Sequence, residues 1–399
     1  MSLLDEASLI VTPNGYKASK LYSVKPTDGS GDMVVSRATT ATRVNSSGII
    51  ELMPIDVPRL DYTLGGCPSI LVEPLRTNLV LESQTFDNAS WSKTLAFAGI
   101  APVVTANQGT APDGTMTADR VYFNCVGSLS VDRSILLQQP LVTTIGTRYY
   151  QSIYVKAFSP SEVGKELRIA ADGLTGLSLV ITITADWKRI VLNGLASSAN
   201  TFFIVETRGT FTANTTADVL LWGAQMEAGS NATSYIPTTT LIAGTTRNAD
   251  VISKTGVSSL IGQTEGTIFI EANLTANADE RRIITVSNGT EAQRLFIWTQ
   301  VTTLYAQFNN ISVSLGNFPI GTAKIAIGYT ILGGSTTYSI KLNNNTLITG
   351  TAATATNPLT NINLGSSATG GLQLNDRINL VTLFTTRLTN PQLANLTAI

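Results

Sequence analysis

Among the 399 residues of this chain there is no histidine. That removes the usual general base of a nucleophilic triad and the commonest side-chain ligand for a transition metal, so any catalysis would rest on carboxylates, lysine or tyrosine. Cysteine is nearly absent too. Cys67 and Cys125 are the only two, enough for one bridge at most, and in a reducing compartment both read as small packing residues. Charged residues make up 13% of the chain and the formal net charge is −1, which leaves no long-range field to gather nucleic acid or an anionic membrane surface. No apolar run reaches the ~18 to 20 residues needed to cross a bilayer. The opening MSLLDEASLI lacks the basic start and continuous apolar core of a signal peptide. The expectation is synthesis and assembly in a cytoplasm, without membrane insertion. No Asp-x-Asp-x-Asp-Gly-like loop occurs, and no metal or cofactor is expected.

What is present is β-forming. Apolar residues make up 43% of the chain, and Thr, Ser, Asn and Gly dominate the rest, a mixture that supplies strands and the turns between them. The length fits two or three domains. Residues 1–85 are broken by turn signals at 13–15, 28–31, 54–58 and 65–68, and read as an irregular N-terminal attachment segment draped over a neighbouring domain or subunit. Residues 86–240 carry short strands at the spacing of a β-sandwich. The pieces SIYVKA (152–157) and VLLWGA (219–224) are two of them. In LSLVITIT (177–184), Leu177, Leu179, Ile181 and Ile183 are expected on one face. Residues 241–265, after a Pro- and Thr-rich stretch, read as a linker. Residues 266–399 have the cleanest alternation, in TIFIEANL, AKIAIGYTI and RINLVTLF, with a hairpin turn at Asn343 to Asn345. One short C-terminal helix is expected, capped by Asn390, with Pro391 in its first turn and Leu393 and Leu396 three apart. The fold class is therefore all-β: two antiparallel sandwiches behind an irregular segment.

Three blocks carry a resemblance. SRATTATRVNSSGIIE (36–51), LVEPLRTNLVLES (71–83) and GAQMEAGSNATSYIPTTT (223–240) resemble, in that order, segments of bacteriophage tail-fibre and head-fibre proteins. PDGTMTADRVYF (112–123), YYQSIYVKA (149–157) and LWGAQMEAG (221–229) are similar to the carbohydrate-binding-module-like jelly rolls of phage appendages. The last third, with INLGSS (362–367) and LTNPQLANL (388–396), resembles concanavalin A-like, laminin-G-type lectin domains. The likeness implies a virion structural protein without enzymatic activity. It would be a tail fibre or receptor-binding appendage that adheres to host-surface glycans, with other virion proteins as partners and a homotrimer favoured. Two alternatives stay open: a head fibre or capsid decoration protein, and a polysaccharide depolymerase.

The depolymerase alternative needs two carboxylates ~5 to 9.5 Å apart in a cleft, and the candidates are Asp172, Asp186, Glu271, Asp279, Glu280 and Asp376. Acidic residues in sandwich loops are more often solvated surface. The same reading is given to the cluster Asp279, Glu280, Arg281 and Arg282. Trp91, Trp187, Trp222 and Trp298 are the candidate sugar-stacking residues, with core packing the bland reading of Trp222 and Trp298 because both lie in strand-like runs. Glu73, Arg76 and Glu227 sit in apolar stretches of the phage-like blocks, where Arg76 is expected to make charge-assisted hydrogen bonds between the attachment segment and the first sandwich. No ligand-binding residue is assigned.

Overall fold

The computed structural model describes residues 3–176, 178–211, 215–239, 244–276, 279–292, 294–353 and 358–399. The regular structure of the described residues is almost entirely strand, antiparallel throughout the large sheets, and the chain divides into two compact units. The first comprises Met1–Gly48, Leu52–Leu75 and Asn248–Ile399, and the second Ile49–Glu51 and Arg76–Arg247.

The first unit is built on one 16-stranded sheet. Its order runs from Ile311–Asn317 through Thr303–Phe308, Arg294–Gln300, Arg281–Ser287, Asn361–Leu364, Val251–Lys254, Met33–Ser36 and Lys20–Lys25. It continues through Leu9–Lys17, Asp376–Phe384, Glu265–Leu274, Gly321–Leu332 and Ser335–Leu342 to Ile348–Ala353, with Arg59–Asp61 and Ser69–Val72 attached off this path beside Asp376–Phe384. Strands far apart in this order share one core: Leu304 and Phe308 pack with Ile340 and Tyr338, whose ring stacks on Phe308 at 4.6 Å. The sheet therefore doubles back into two layers, the aligned packing of a sandwich.

Two sequence expectations are corrected here. Residues 1–85 are not an irregular segment. Leu9–Lys17 pairs with Asp376–Phe384 (Leu9 opposite Leu383, Val11 opposite Val381), Ser69–Val72 pairs with the same strand, and Met33–Ser36 pairs with Val251–Lys254. The reason is physical: several of these strands are only three or four residues long, too short for local alternation to show, and their partners lie at the other end of the sequence. Residues 241–265 are likewise not a plain linker, since Thr245–Arg247 pairs with Arg76–Asn78 in the second unit and Val251–Lys254 is an inner strand of the first. Residues 240–243 lie outside the described residues. The terminal helix Asn390–Thr397 is present, with Thr389 rather than Asn390 at its N-cap. Gln392 Oε1 accepts from both the amide and the hydroxyl of Thr389 at 2.8 Å, and Leu393 is buried beside Phe269, Ala326 and Phe384.

The chain leaves the first unit after Leu75 and re-enters it at Asn248, and a buried charge network joins those two crossings. Asp250 N donates to Glu73 O at 3.0 Å, and Glu73 N donates to Asp250 Oδ2 at 2.9 Å. Arg37 Nη1 donates to Asp250 Oδ1 at 2.9 Å, while Arg59 contacts Asp250 Oδ2 and donates to Glu73 Oε2 at 2.6 Å. All four side chains are buried. Burial opposes the charge on both arginines. On Arg59 the two carboxylates outweigh it and hold the guanidinium above its ordinary range. Glu73 thus serves Arg59.

The second unit packs a five-stranded sheet (Gly99–Gly109, Ala118–Cys125, Thr216–Ala228, Arg148–Ala157, Lys188–Leu195) against a six-stranded one. The core between them includes Phe123, Leu136, Ile153, Ile169, Phe203 and Val219. In the edge strand Ser178–Thr182 only part of the expected alternation survives: Ile181 is buried but Leu179 is exposed, and Leu177 lies outside the described residues. The two motif blocks clasp each other inside this unit. Asn78 is fully buried and Nδ2 donates to Ala224 O and Ile236 O at 3.1 and 2.9 Å, while Oδ1 accepts from Met226 N and Val80 N at 3.0 and 3.1 Å. Glu227 accepts from Thr233 N and Oγ1 at 2.7 and 2.6 Å and closes the loop that follows it. Between Trp222 and Ala224, Gly223 adopts φ +64 where the pairing with Arg148–Ala157 slips register, a bulge that only glycine takes without strain. Arg76 is half-buried with its guanidinium against Gly229, where a Cβ would fall 2.5 Å from Nη2.

Candidate functional site

The site is built on three neighbouring strands of the first unit. In Arg294–Gln300, Leu295 and Ile297 face the core, so period-2 alternation turns Arg294, Phe296 and Trp298 to the opposite face. Thr303–Phe308 does the same, with Leu304, Ala306 and Phe308 inward and Tyr305 on the outer face. Trp298 stacks on Tyr305 with centroids 4.7 Å apart and planes at 22°, and Phe296 lies 6.4 Å further along. The third strand adds the charge. Ordinary alternation turns Arg281 and Arg282 to opposite sides, and a bulge between Arg282 and Ile284 then lets both Ile283 and Ile284 enter the core. Arg281 goes inward to Asp376, Thr299 Oγ1 and the carbonyls of Leu374 and Thr275. Arg282, opposite Trp298 in register, lays its guanidinium 4.3 Å from the Phe296 centroid and 5.3 Å from Trp298, and Arg294 covers Phe296 from 4.5 Å. Such contacts contribute about 0.5 to 2 kcal/mol each, more as water is excluded.

The cluster at 279–282 is therefore not four solvated charges. Arg281 is 1% exposed and Arg282 4%, because each is enclosed by a different face of the same sheet. Burial lowers the affinity of Arg282 and Arg294 for their protons, and for Arg294 the charge on Arg282 adds to the effect. Two glutamates work the other way. Glu280 Oε1 lies 2.6 Å from Arg282 Nη1, and Glu291 pairs with Arg294. Arg282 Nε, Arg294 Nε and Trp298 Nε1 are buried with no hydrogen-bond partner among the described residues. A half-buried aromatic platform ringed by unspent donors is suited to a ligand with one apolar face and oxygen acceptors at its edge.

The other candidates are placed elsewhere. Trp91 is core, packed on Phe86 and Phe203 with its N–H on Glu82 O. Trp222 is buried between Tyr154 and Tyr235. Trp187 is half-buried against that same cluster and spends its N–H on Thr110 O. Trp298, for which a place in a strand suggested the core, belongs instead to the outer face. Phe296, Tyr305 and Arg294 complete the face and had drawn no notice in the sequence. A usable signal was there, since Arg294 shares its phase with Phe296 and Trp298, although the inward Arg281 on the next strand shows that an arginine alone does not mark the outer side.

The six carboxylates are divided between the two units, and Asp279 and Asp376 both act on the buried Arg281. Asp172 and Asp186 are exposed in the second unit, while the other four belong to the first. Of those, Asp376 is taken up by Arg281 and Thr275, Glu280 by Arg282, and Glu271 faces Asn379 and Lys324. Among the described residues, no group of three or more Cys, Asp or Glu side chains is placed to hold a metal ion, and no helix is long and apolar enough to cross a membrane.

No protein-family model matches the chain, and no curated protein matches it. Solved structures that resemble it include the CBM40 of Ruminococcus gnavus IT-sialidase bound to α2,3-sialyllactose, at 15% identity and a TM-score of 0.31, covering 36% of this chain and 91% of that one. Domain 4 of AbnA, a GH43 extracellular arabinanase from Geobacillus stearothermophilus in complex with arabinotriose, is 12% identical with a TM-score of 0.30, covering 42% and 82%. The mouse laminin α1 chain domains LG4-5 are 10% identical with a TM-score of 0.23, covering 74% and 96%.

Proposed function

We propose that this chain is a non-enzymatic structural protein of a bacteriophage particle, a tail fibre or receptor-binding appendage that adheres to host-surface glycans. The observation that carries the adhesion reading is the outer face of the first unit, where Trp298 and Tyr305 stack in a half-buried platform flanked by Arg282 and Arg294. A sugar ring offers an apolar face to such a platform and its hydroxyls to the surrounding donors. The phage part of the reading is supported by the motif blocks at 36–51, 71–83 and 223–240, which carry the resemblance. In this reading the chain is assembled in the host cytoplasm, meets other virion proteins, and is presented in several copies, a trimer by the same resemblance. Multiplicity raises a weak single-site affinity by roughly 10² to 10⁴.

Two experiments test this. On an array of bacterial surface glycans the full chain binds a subset, and Trp298→Ala lowers that binding roughly thirtyfold, the loss of one aromatic anchor. A wild type that binds no glycan, or a variant that binds as well as wild type, sinks the adhesion reading. Immunogold labelling of phage particles separates a tail from a head position, and particles that take no label sink the virion reading.

A further inference from the structure

Resting on that adhesion reading, we propose that the face takes a sugar bearing a carboxylate, and that Glu280 is a resident anion which the incoming carboxylate displaces from Arg282.

The two ends of the Arg282–Glu280 contact differ in kind. Arg282 is 4% exposed, enclosed by Phe296 and Trp298. Its Nε and Nη1 make no hydrogen bond among the described residues, although Nη1 lies 2.6 Å from Glu280 Oε1. The contact is close but poorly aligned, so it neutralises charge without using the guanidinium's directional donors. The Glu280 side chain is 38% exposed, and among the described residues no hydrogen bond ties it to any other group. Glu291 is different. Besides pairing with Arg294 it accepts from Thr369 N at 3.2 Å, which anchors it to the loop above the sheet.

These differences set a direction for exchange. Removing Glu280 returns an already hydrated carboxylate to water at little cost, whereas Arg282 cannot be left alone in its buried setting. A ligand carboxylate aligned on Nε and a terminal nitrogen satisfies the donors that Glu280 leaves idle, with the paired geometry in which guanidinium contacts are strongest. A neutral sugar lacks the charge to exchange. Stacking on Trp298 and Tyr305 would then supply affinity common to many sugars, and Arg282 the preference for acidic ones.

The test uses the full chain, isothermal titration, and two probes: tetragalacturonate and the neutral galactotetraose. Wild type binds tetragalacturonate more tightly, and added salt narrows the gap. Glu280→Gln, checked for folding by thermal melting because it leaves Arg282 without its paired carboxylate, tightens tetragalacturonate binding about two- to fivefold and leaves galactotetraose unchanged. Arg282→Met, checked for folding by thermal melting, loses roughly tenfold or more for tetragalacturonate alone. Unchanged or weaker acid binding by Glu280→Gln overturns the displacement. Wild-type binding restricted to neutral sugars on the glycan array overturns the carboxylate preference while adhesion stands, and an array with no bound glycan takes down both.

Discussion

Replacing Asp250 by asparagine isolates the charge network that joins the two chain crossings of the first unit. Asp250 accepts from Arg37 Nη1 at 2.9 Å, from Arg59 Nη2, and from the Glu73 amide at 2.9 Å. Asparagine keeps the shape but removes the charge, and turns an NH2 group toward guanidinium donors. Two buried arginines are then left with Glu73 as their one carboxylate within this network. Breaking a buried pair from one side costs about 3 to 5 kcal/mol, because the stranded charge stays in a low dielectric. At about 2 to 4 °C per kcal/mol for a domain of 150 to 250 residues, the melting temperature of the first unit should fall by roughly 6 to 20 °C. Scanning calorimetry of the full chain measures this, with the exposed Asp186→Asn as the control that moves the transition by about 1 °C or less. A fall of under about 2 °C for Asp250→Asn, or an equal fall for the control, would refute the reasoning.

Two other perturbations probe different parts of the fold. Asn78→Ala strips four hydrogen bonds from the clasp between the motif blocks and leaves buried amide and carbonyl groups unpaired, a loss of about 2 to 4 kcal/mol read as a lower denaturation midpoint of the second unit. Burial pushes the Asp376 carboxyl up to about 6 from its ordinary 3.8, against the pull of Arg281. The folded state therefore holds a proton that the unfolded chain has lost between those values. The resulting stability is fully present below about pH 4 and disappears as pH rises through about 6. Urea denaturation from pH 4 to 8 should show that decline in wild type and a flatter profile in Asp376→Asn; equal slopes would contradict it.

The parts of this molecule that were legible in the sequence are those whose cause is local. Alternation in residues 267–274 and 323–331 reports strands that exist, because each buries one face against a core that any partner could supply. The role of residues 9–17 was not legible, since nothing near them says that Leu9 will lie opposite Leu383. A strand such as Arg59–Asp61 has one inward side chain and no period at all. The blocks at 71–83 and 223–240 are conspicuous as motifs, but their chemistry lies in the structure, where Asn78 and Glu227 spend their oxygens on backbone, hydroxyl and side-chain amide donors. From Arg76 onward they are folding signals of the second unit, while residues 71–75 belong to the first.

The candidate face was hidden for a different reason, one of phase. The run Leu295 to Trp298 is apolar at every position, so hydrophobicity alone assigns neither face to the core. Arg294 breaks the tie in its own strand, since alternation from an outward arginine makes Phe296 and Trp298 outward as well. On the neighbouring strand the same counting fails, because the bulge at Arg282 to Ile284 shifts the alternation by one, with Arg281 and Ile283 inward before it and Ile284 and Val286 inward after it. Counted back from Ile284 and Val286 without that bulge, Arg282 would face the core and Arg281 the outer side, so Arg281 would lose Asp376 and Arg282 would lose Phe296 and Trp298. One irregular residue step thus separates an internal ion pair that holds the sandwich end together from an arginine free to serve the outer face.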